Sequence, residues 1–245
     1  EIYADYQFFD RNVFYYPAKD IIFYNADIHG NLIVSQRMAV IKRMLEGEPV
    51  TVITTIDGLF DRLLPLEEIA KNRLIFRAED VLPLEALSRE LTAMGFERVS
   101  QVESPGQFAV RGGILDIYNL ADECPYRLEL WGDEIDSIRS FDAESQRSIE
   151  QVDKVIIYPA TEYVMSAAVR DRGLKMIDQD MKRQVKRLKD GQNYETATRL
   201  TQVIAELKEN LEISSASSGI DSLVQYFYGH TVSFLSYFDR DDSLI

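Results

Sequence analysis

The chain opens with alternating apolar runs of two periods. "VFYY", residues 13–16, is a short β-type run closed by Pro17, and "LIVSQRMAVIKRMLEG" then places Ile33, Met38, Ile41, Met44 and Leu45 three and four residues apart. That spacing predicts a helix stopped at Gly47. A second strand-helix unit follows in the β-branched "VTVITT", residues 50–55, and the amphipathic "IDGLFDRLLP". Strand and helix in alternation predict an open α/β sheet.

From Leu82 the pattern changes. "LPLEALSRELTAMGFERV" reads as a helix with Pro83 near its start and Gly95 at its end. After it come strands at Arg98–Glu103, Gln107–Ile117, Tyr126–Trp131, Ile135–Phe141 and Lys154–Tyr158, with hardly any helix between them. Gly132-Asp133 separates two apolar runs and predicts an antiparallel hairpin there. Beyond Pro159 the pattern is helical again: Ile177, Met181, Val185 and Leu188 share one stripe, Leu200, Val203, Ile204, Leu207 and Leu211 another. "SSASSG" precedes an expected helix at Ile220–Tyr228, and "TVSFLSYF" an expected final strand.

Composition narrows the classes of function. The 245 residues carry 27 Lys and Arg against 41 Asp and Glu, a net charge of −14 that repels phosphate backbones and disfavours nonspecific nucleic-acid binding. One cysteine excludes an internal disulfide framework and fits a reducing cytoplasm; with only two histidines beside it, a Cys/His zinc site is not expected. No run of 18 apolar residues is present, so no membrane span is expected. The start at Glu1, without methionine or signal peptide, reads as a piece of something longer.

Three motifs imitate chemistry. Arg111-Gly112-Gly113 suggests a phosphate loop, but no Gly-Lys pair occurs and the glycines lead into "ILDIY", a strand; they are expected to bend or bulge it. Asp133-Glu134 after "LELW" imitates an ATPase magnesium site, yet without a phosphate loop it reads as a hairpin turn. "KRQVKRLK", residues 182–189, is interrupted by Val185 and Leu188 at core spacing and reads as a solvated helix face. His29 has no base or nucleophile at close spacing. No catalytic, metal or cofactor-binding residue is assigned.

What remains is a displayed face. Alternation puts Phe108, Val110, Ile114 and Tyr118 on one side of the long strand and Ala109, Arg111, Leu115 and Ile117 mostly on the other, with room for a slip in phase at the glycines. In the next strand Arg127, Glu129 and Trp131 oppose Leu128 and Leu130. Two readings stay open on spacing alone. Arg111, Arg127 and Trp131 share an exposed face of the residue types that carry interface energy, or the arginines pair with Glu129 or Asp116 and the tryptophan caps a core.

The run "FAVRGGILDIYNL…PYRLELWGDEIDSIRSFDAESQRSIEQVDKVIIYPATEY" resembles the N-terminal region of bacterial transcription-repair coupling factors, itself similar to the excision repair protein UvrB. "YYPAKDIIFYNADIHGN", "SQRMAVIKRML" and "GIDSLVQYFYG" extend the likeness. The resemblance implies a degenerate RecA-like α/β module with an inserted, mainly antiparallel β plus helix domain. Its parts would be residues 1–78, 79–157 and 158–245. It further implies that the inserted domain presents Arg111, Arg127 and Trp131 to UvrA, with Trp131 a departure from the phenylalanine frequent at that place.

On that reading the chain is a non-catalytic recruitment module, without cofactor. RNA polymerase and DNA would be reached only through parts beyond Ile245, and the remaining domains of the parent would mask the UvrA face. Charge reversal at Arg111 or Arg127 is then expected to abolish docking with little change in stability. A Tyr-rich DNA-gripping hairpin like that of UvrB is absent from the sequence. The alternative is a UvrB-like fragment that binds nucleotide or damaged DNA.

Overall fold

The computed structural model describes residues 2–19, 27–213 and 223–239. They fall into two compact units, Glu1–Val164 with Val232–Ile245, and Met165–Thr231. The architecture is mixed α/β, and its main sheet is mostly antiparallel.

The first unit begins with α1 (Ile2–Phe9), β1 (Val13–Tyr16), α2 (Asp27–Glu46) and β2 (Thr51–Thr54). β1 and β2 pair in parallel, from Val13 opposite Thr51 to Tyr16 opposite Thr54. The helical spacing buries Met38, Val40 and Ile41, and α2 stops just before Gly47. Short elements follow: α3 (Ile56–Phe60), β3 (Arg62–Leu63), α4 (Leu66–Lys71) and β4 (Leu74–Arg77). Next come α5 (Leu84–Ala93), β5 (Glu97–Arg98), β6 (Gln107–Arg111), β7 (Ile114–Ile117), β8 (Tyr126–Trp131), β9 (Glu134–Phe141), β10 (Ser148–Gln151) and β11 (Lys154–Ile157).

β10, β9, β8, β7, β6 and β5 form one six-stranded sheet in that order. Its inner face meets α5: Phe108, Leu115, Ile117, Leu128 and Ile138 pack with Leu87, Leu91 and Phe96 in the largest buried cluster. Each such side chain contributes about 1.5–3 kcal/mol when fully withdrawn from water. The expected strand at Lys154–Tyr158 leaves this sheet and pairs with β4 instead, Val155 opposite Phe76. β10, which the sequence pattern did not mark, is a fully exposed edge strand.

The expected strand Gln107–Ile117 is two strands. It folds back at Gly112-Gly113, so that Phe108 faces Ile117 and Arg111 faces Ile114 across a hairpin. Gly112 has φ +60, as the first central residue of a two-residue loop of the II′ kind requires. At Gly113 a Cβ would lie 2.8 Å from the Leu130 carbonyl oxygen. The fold-back also corrects the alternation: Leu115 and Ile117 lie on the core side with Phe108, and Asp116 joins Arg111 on the other.

A buried ionic cluster ties the end of this region to the α2 layer. Arg37, fully buried on α2, donates from Nε to Glu162 Oε1 at 2.8 Å and from Nη1 to the Pro17 carbonyl at 2.7 Å and Asp61 Oδ2 at 2.6 Å. Lys19 Nζ lies 2.5 Å from the other Glu162 oxygen. The guanidinium covers the Tyr16 ring, which stacks on Phe234 at 3.8 Å. Burial alone would raise the Glu162 carboxyl, but Arg37 and Lys19 outweigh it and bring it down to about 2.

The second unit is helical: α6 (Ala167–Asp190), α7 (Tyr194–Ile213) and the short α8 (Val224–Phe227). Ser166 caps α6, its hydroxyl accepting from the Val169 amide, and Arg172 donates to the Phe227 carbonyl at 2.7 Å. Lys182, Arg183, Lys186, Arg187 and Lys189 are exposed, with Val185 and Leu188 half-buried, which is a solvated face. "SSASSG" and the first residues of the helix expected at Ile220–Tyr228 lie outside the described residues. In the first unit the expected last strand shortens to β12 (Val232–Ser233), paired with β3, and Phe234–Tyr237 forms a 3₁₀ turn.

Candidate functional site

The outer face of the six-stranded sheet holds the polar residues of the "VRGGILDIY" and "YRLELW" strands. Asp116, on β7, is completely buried, a position that is costly for a carboxylate unless it is fully paired. Its neighbour across the sheet is Arg127, and its neighbour in the hairpin is Ala109, one pair from Arg111. Both arginines turn onto it. Arg127 donates from Nε to Oδ1 at 2.7 Å and from Nη2 to Oδ2 at 2.9 Å, while Arg111 donates from Nη2 to Oδ2 at 2.5 Å.

The two guanidinium groups differ in freedom. Arg127 is only 14% exposed at its side chain, lies over the Phe141 ring at 4.3 Å, and donates further to Gln146 Oε1 at 3.2 Å. Hydrogen bonding to Asp116 raises its pKa above the ordinary value, with burial pulling the other way. Gln146, at φ +60, is itself held by its amide to the Val102 and Ala143 carbonyls. Arg111 makes one such bond and keeps 40% of its side chain in solvent.

Trp131 sits at the tip of the β8–β9 hairpin, opposite Glu134, and is 87% exposed. Gly132, with φ +66, turns this hairpin as Gly112 turns its neighbour. The Leu130 amide donates to the Gly113 carbonyl at 2.7 Å, which brings the two glycine turns side by side and Trp131 to the Arg111 end of the sheet. Leu82 and Glu79 donate to the Asp133 and Ile135 carbonyls, so that exposed Val81 bridges to Glu134 beside the tryptophan.

Of the two readings left open by the sequence, each holds for part of the site. The arginines do pair with Asp116, and the tryptophan does not cap a core. Arg127 is thereby a structural residue as well as a surface one, and the expectation that Arg127→Glu leaves stability unchanged does not stand. A glutamate there would face the buried Asp116 carboxylate. Asp116 is one of the two partners the sequence offers the arginines; Phe141 and Gln146, which hold Arg127 from its other sides, are what sequence reasoning misses, and no local pattern marks them.

Asp133 and Glu134 form the turn and the first residue of β9, and Arg111-Gly112-Gly113 opens no helix. Among the described residues no group of three or more His, Cys, Asp or Glu side chains is placed to hold a metal, and no helix is long and apolar enough to cross a membrane. The geometry sets guanidinium donors, one pinned carboxylate and an exposed indole on one outer sheet face.

Comparison with known proteins bears on the same segment. Residues 74–163 match the family described as UvrB interaction domain. The chain belongs with the UvrB-homology modules of transcription-repair coupling factors. It is 32% identical over 236 residues to the transcription-repair-coupling factor of Bacillus subtilis, which covers 96% of this chain and 20% of that protein. The transcription-repair-coupling factor of Staphylococcus aureus (strain USA300) is 34% identical over 164 residues, 66% of this chain and 14% of that protein. The UvrABC system protein B of Thermosipho africanus is 29% identical over 247 residues, 98% of this chain and 37% of that protein. The chain therefore spans from about a seventh to rather more than a third of these relatives. The UvrB interaction domain match encloses the whole of the β6–β9 face, including Arg111, Arg127 and Trp131.

Proposed function

We propose that this chain is a non-catalytic docking module that binds UvrA and, within a longer transcription-repair coupling factor, brings nucleotide excision repair to stalled RNA polymerase. One observation carries it: within the segment that matches the UvrB interaction domain, Arg111 and Arg127 converge on Asp116 on a sheet face whose Arg111 end carries an exposed tryptophan. Planar guanidinium groups match carboxylates in paired hydrogen bonds, and an indole supplies apolar area that gains by leaving water. Arg111 and Trp131 meet the partner directly; Arg127, largely satisfied within the chain, orients the face and offers its remaining edge.

On this reading residues 1–78 are a truncated, degenerate RecA-like part, 79–157 the inserted UvrA-binding domain and 158–245 a second, helix-rich α/β part. The parallel β1–β2 pair around α2 supports the RecA-like kinship. The module works in the cytoplasm, its UvrA face is masked by the remaining domains of the parent, and contact with RNA polymerase and DNA belongs to those domains.

Titration calorimetry with purified UvrA tests the reading. The wild-type chain binds, and Arg111→Glu loses binding; because this side chain is 40% exposed and Arg127 still pairs with Asp116, its melting temperature falls less than that of Arg127→Glu. Wild-type affinity in the Arg111→Glu variant removes the site; no binding by the wild-type chain removes the function. A second reading, a UvrB-like nucleotide- or damaged-DNA-binding fragment, draws on the 98% coverage of this chain by a UvrB protein. The net charge of −14 argues against it, and titration with a fluorescent ATP analogue and a lesion-bearing duplex decides between the two.

A further inference from the structure

The outer face carries a third arginine. Arg139 on β9 stands directly opposite Arg127 on β8, so the two side chains rise from the same face of the sheet. Like charges directly opposed across strands destabilise a sheet, and among the described residues no carboxylate holds Arg139 as Asp116 holds Arg127 and Arg111. Among the described residues the one ion-pair partner of Arg139 is Glu129, whose Oε2 lies 3.9 Å from Nη2, beyond hydrogen-bond reach. That same oxygen accepts the Ser137 hydroxyl at 2.9 Å.

The Nε of Arg139 is buried and has no hydrogen-bond partner among the described residues, while 41% of the side chain stays in solvent. On its other side the register places Gln151 of the exposed edge strand β10. A stability-driven sequence has little reason to keep an opposed, half-satisfied arginine here. Local arrangements of this kind persist where another task requires them.

We infer that Arg139 is a contact residue of the docking face, offering its free guanidinium edge to a carboxylate of the bound protein. This rests on the UvrA-docking reading above and extends its footprint from the hairpin tips across β8 to β9. Three arginines then rise from β6, β8 and β9 on one face, outnumbering its Asp116 and Glu129 carboxylates in a chain whose net charge is −14, a local excess of positive charge suited to an acidic protein surface.

The test compares wild type, Arg139→Met and Arg139→Glu by calorimetry against purified UvrA at two salt concentrations, with thermal melting of each. The expected result is affinity about tenfold weaker for Arg139→Met and weaker again for Arg139→Glu. The salt dependence should be shallower for Arg139→Met, and both melting temperatures should equal or exceed that of wild type. Wild-type affinity in Arg139→Glu overturns the inference and leaves the docking reading intact, as does a melting temperature several degrees lower in Arg139→Met, which would make the residue structural. If the wild-type chain itself does not bind UvrA, the docking reading falls and this contact with it.

Discussion

Asp116 and Arg127 are joined by two hydrogen bonds, 2.7 Å from Nε to Oδ1 and 2.9 Å from Nη2 to Oδ2, with the carboxylate wholly buried. A buried charge pair is weak grounds for stability in itself, but removing one partner strands the other. Asp116→Ala leaves two guanidinium groups on the sheet face without their shared acceptor. Because Arg111 and, to a lesser degree, Arg127 reach solvent, the cost falls below that of a fully buried pair, at about 2–3 kcal/mol. Urea unfolding monitored by circular dichroism measures it. A loss under 1 kcal/mol would mean that Asp116 does not hold the face together.

The two glycines of the β6–β7 hairpin are expected to respond differently to the same methyl group. Gly112→Ala meets open space and carries only the strain of a left-handed backbone, about 1–2 kcal/mol. In Gly113→Ala the new Cβ meets the Leu130 carbonyl, an oxygen on the backbone of the next strand, so β7 and β8 must separate locally. Hydrogen exchange separates the outcomes. Gly113→Ala should lose protection at the Leu130 amide, which donates to Gly113, and Gly112→Ala should keep it.

Much of this was legible in the sequence, and the lapses share a cause. Apolar spacing placed α2, α5 and the β8–β9 turn because those features depend on neighbours in sequence. The β6–β7 hairpin was read as one strand because Gly112-Gly113 joins two apolar runs without a break in alternation strong enough to show the reversal. In the sequence Asp116 is one of two carboxylates open to the arginines, and only the register, which brings Arg127 opposite and Arg111 diagonal to it, shows which one they take. Arg37 and Glu162 are 125 residues apart and meet in the buried core, a pairing that local pattern does not encode.

That pairing makes a pH-dependent prediction. The Glu162 carboxyl is lowered from its ordinary value to about 2 in the folded chain, so the stability it contributes is present above the unfolded value near 4.5. It is lost as pH falls through the folded value. Glu162→Gln should therefore be less stable than wild type at pH 7, and the gap should narrow between about pH 5 and pH 2, by at most roughly 1.4 kcal/mol per pH unit for one proton. Urea midpoints at pH 7, 5, 4 and 3 follow the gap. A gap that is constant over this range assigns the acid sensitivity to other carboxylates.

Trp131 is the chain's one tryptophan, and its indole is 87% exposed at the hairpin tip. Its truncation should leave folding untouched, since no buried cluster of the described residues includes it, and Trp131→Ala should melt with wild type. Docking is a different matter, because an aromatic ring that leaves water at an interface is worth about 1–3 kcal/mol, or roughly fivefold to more than a hundredfold in affinity. Incorporating 5-fluorotryptophan places a single fluorine probe at this residue. In the free chain its resonance should be narrow and sensitive to replacement of H2O by D2O. Addition of unlabelled UvrA should shift and broaden it and remove the solvent effect. A resonance that broadens with the size of the complex but keeps its full solvent effect would place Trp131 outside the contact, leaving Arg111 as the anchor of that end of the face.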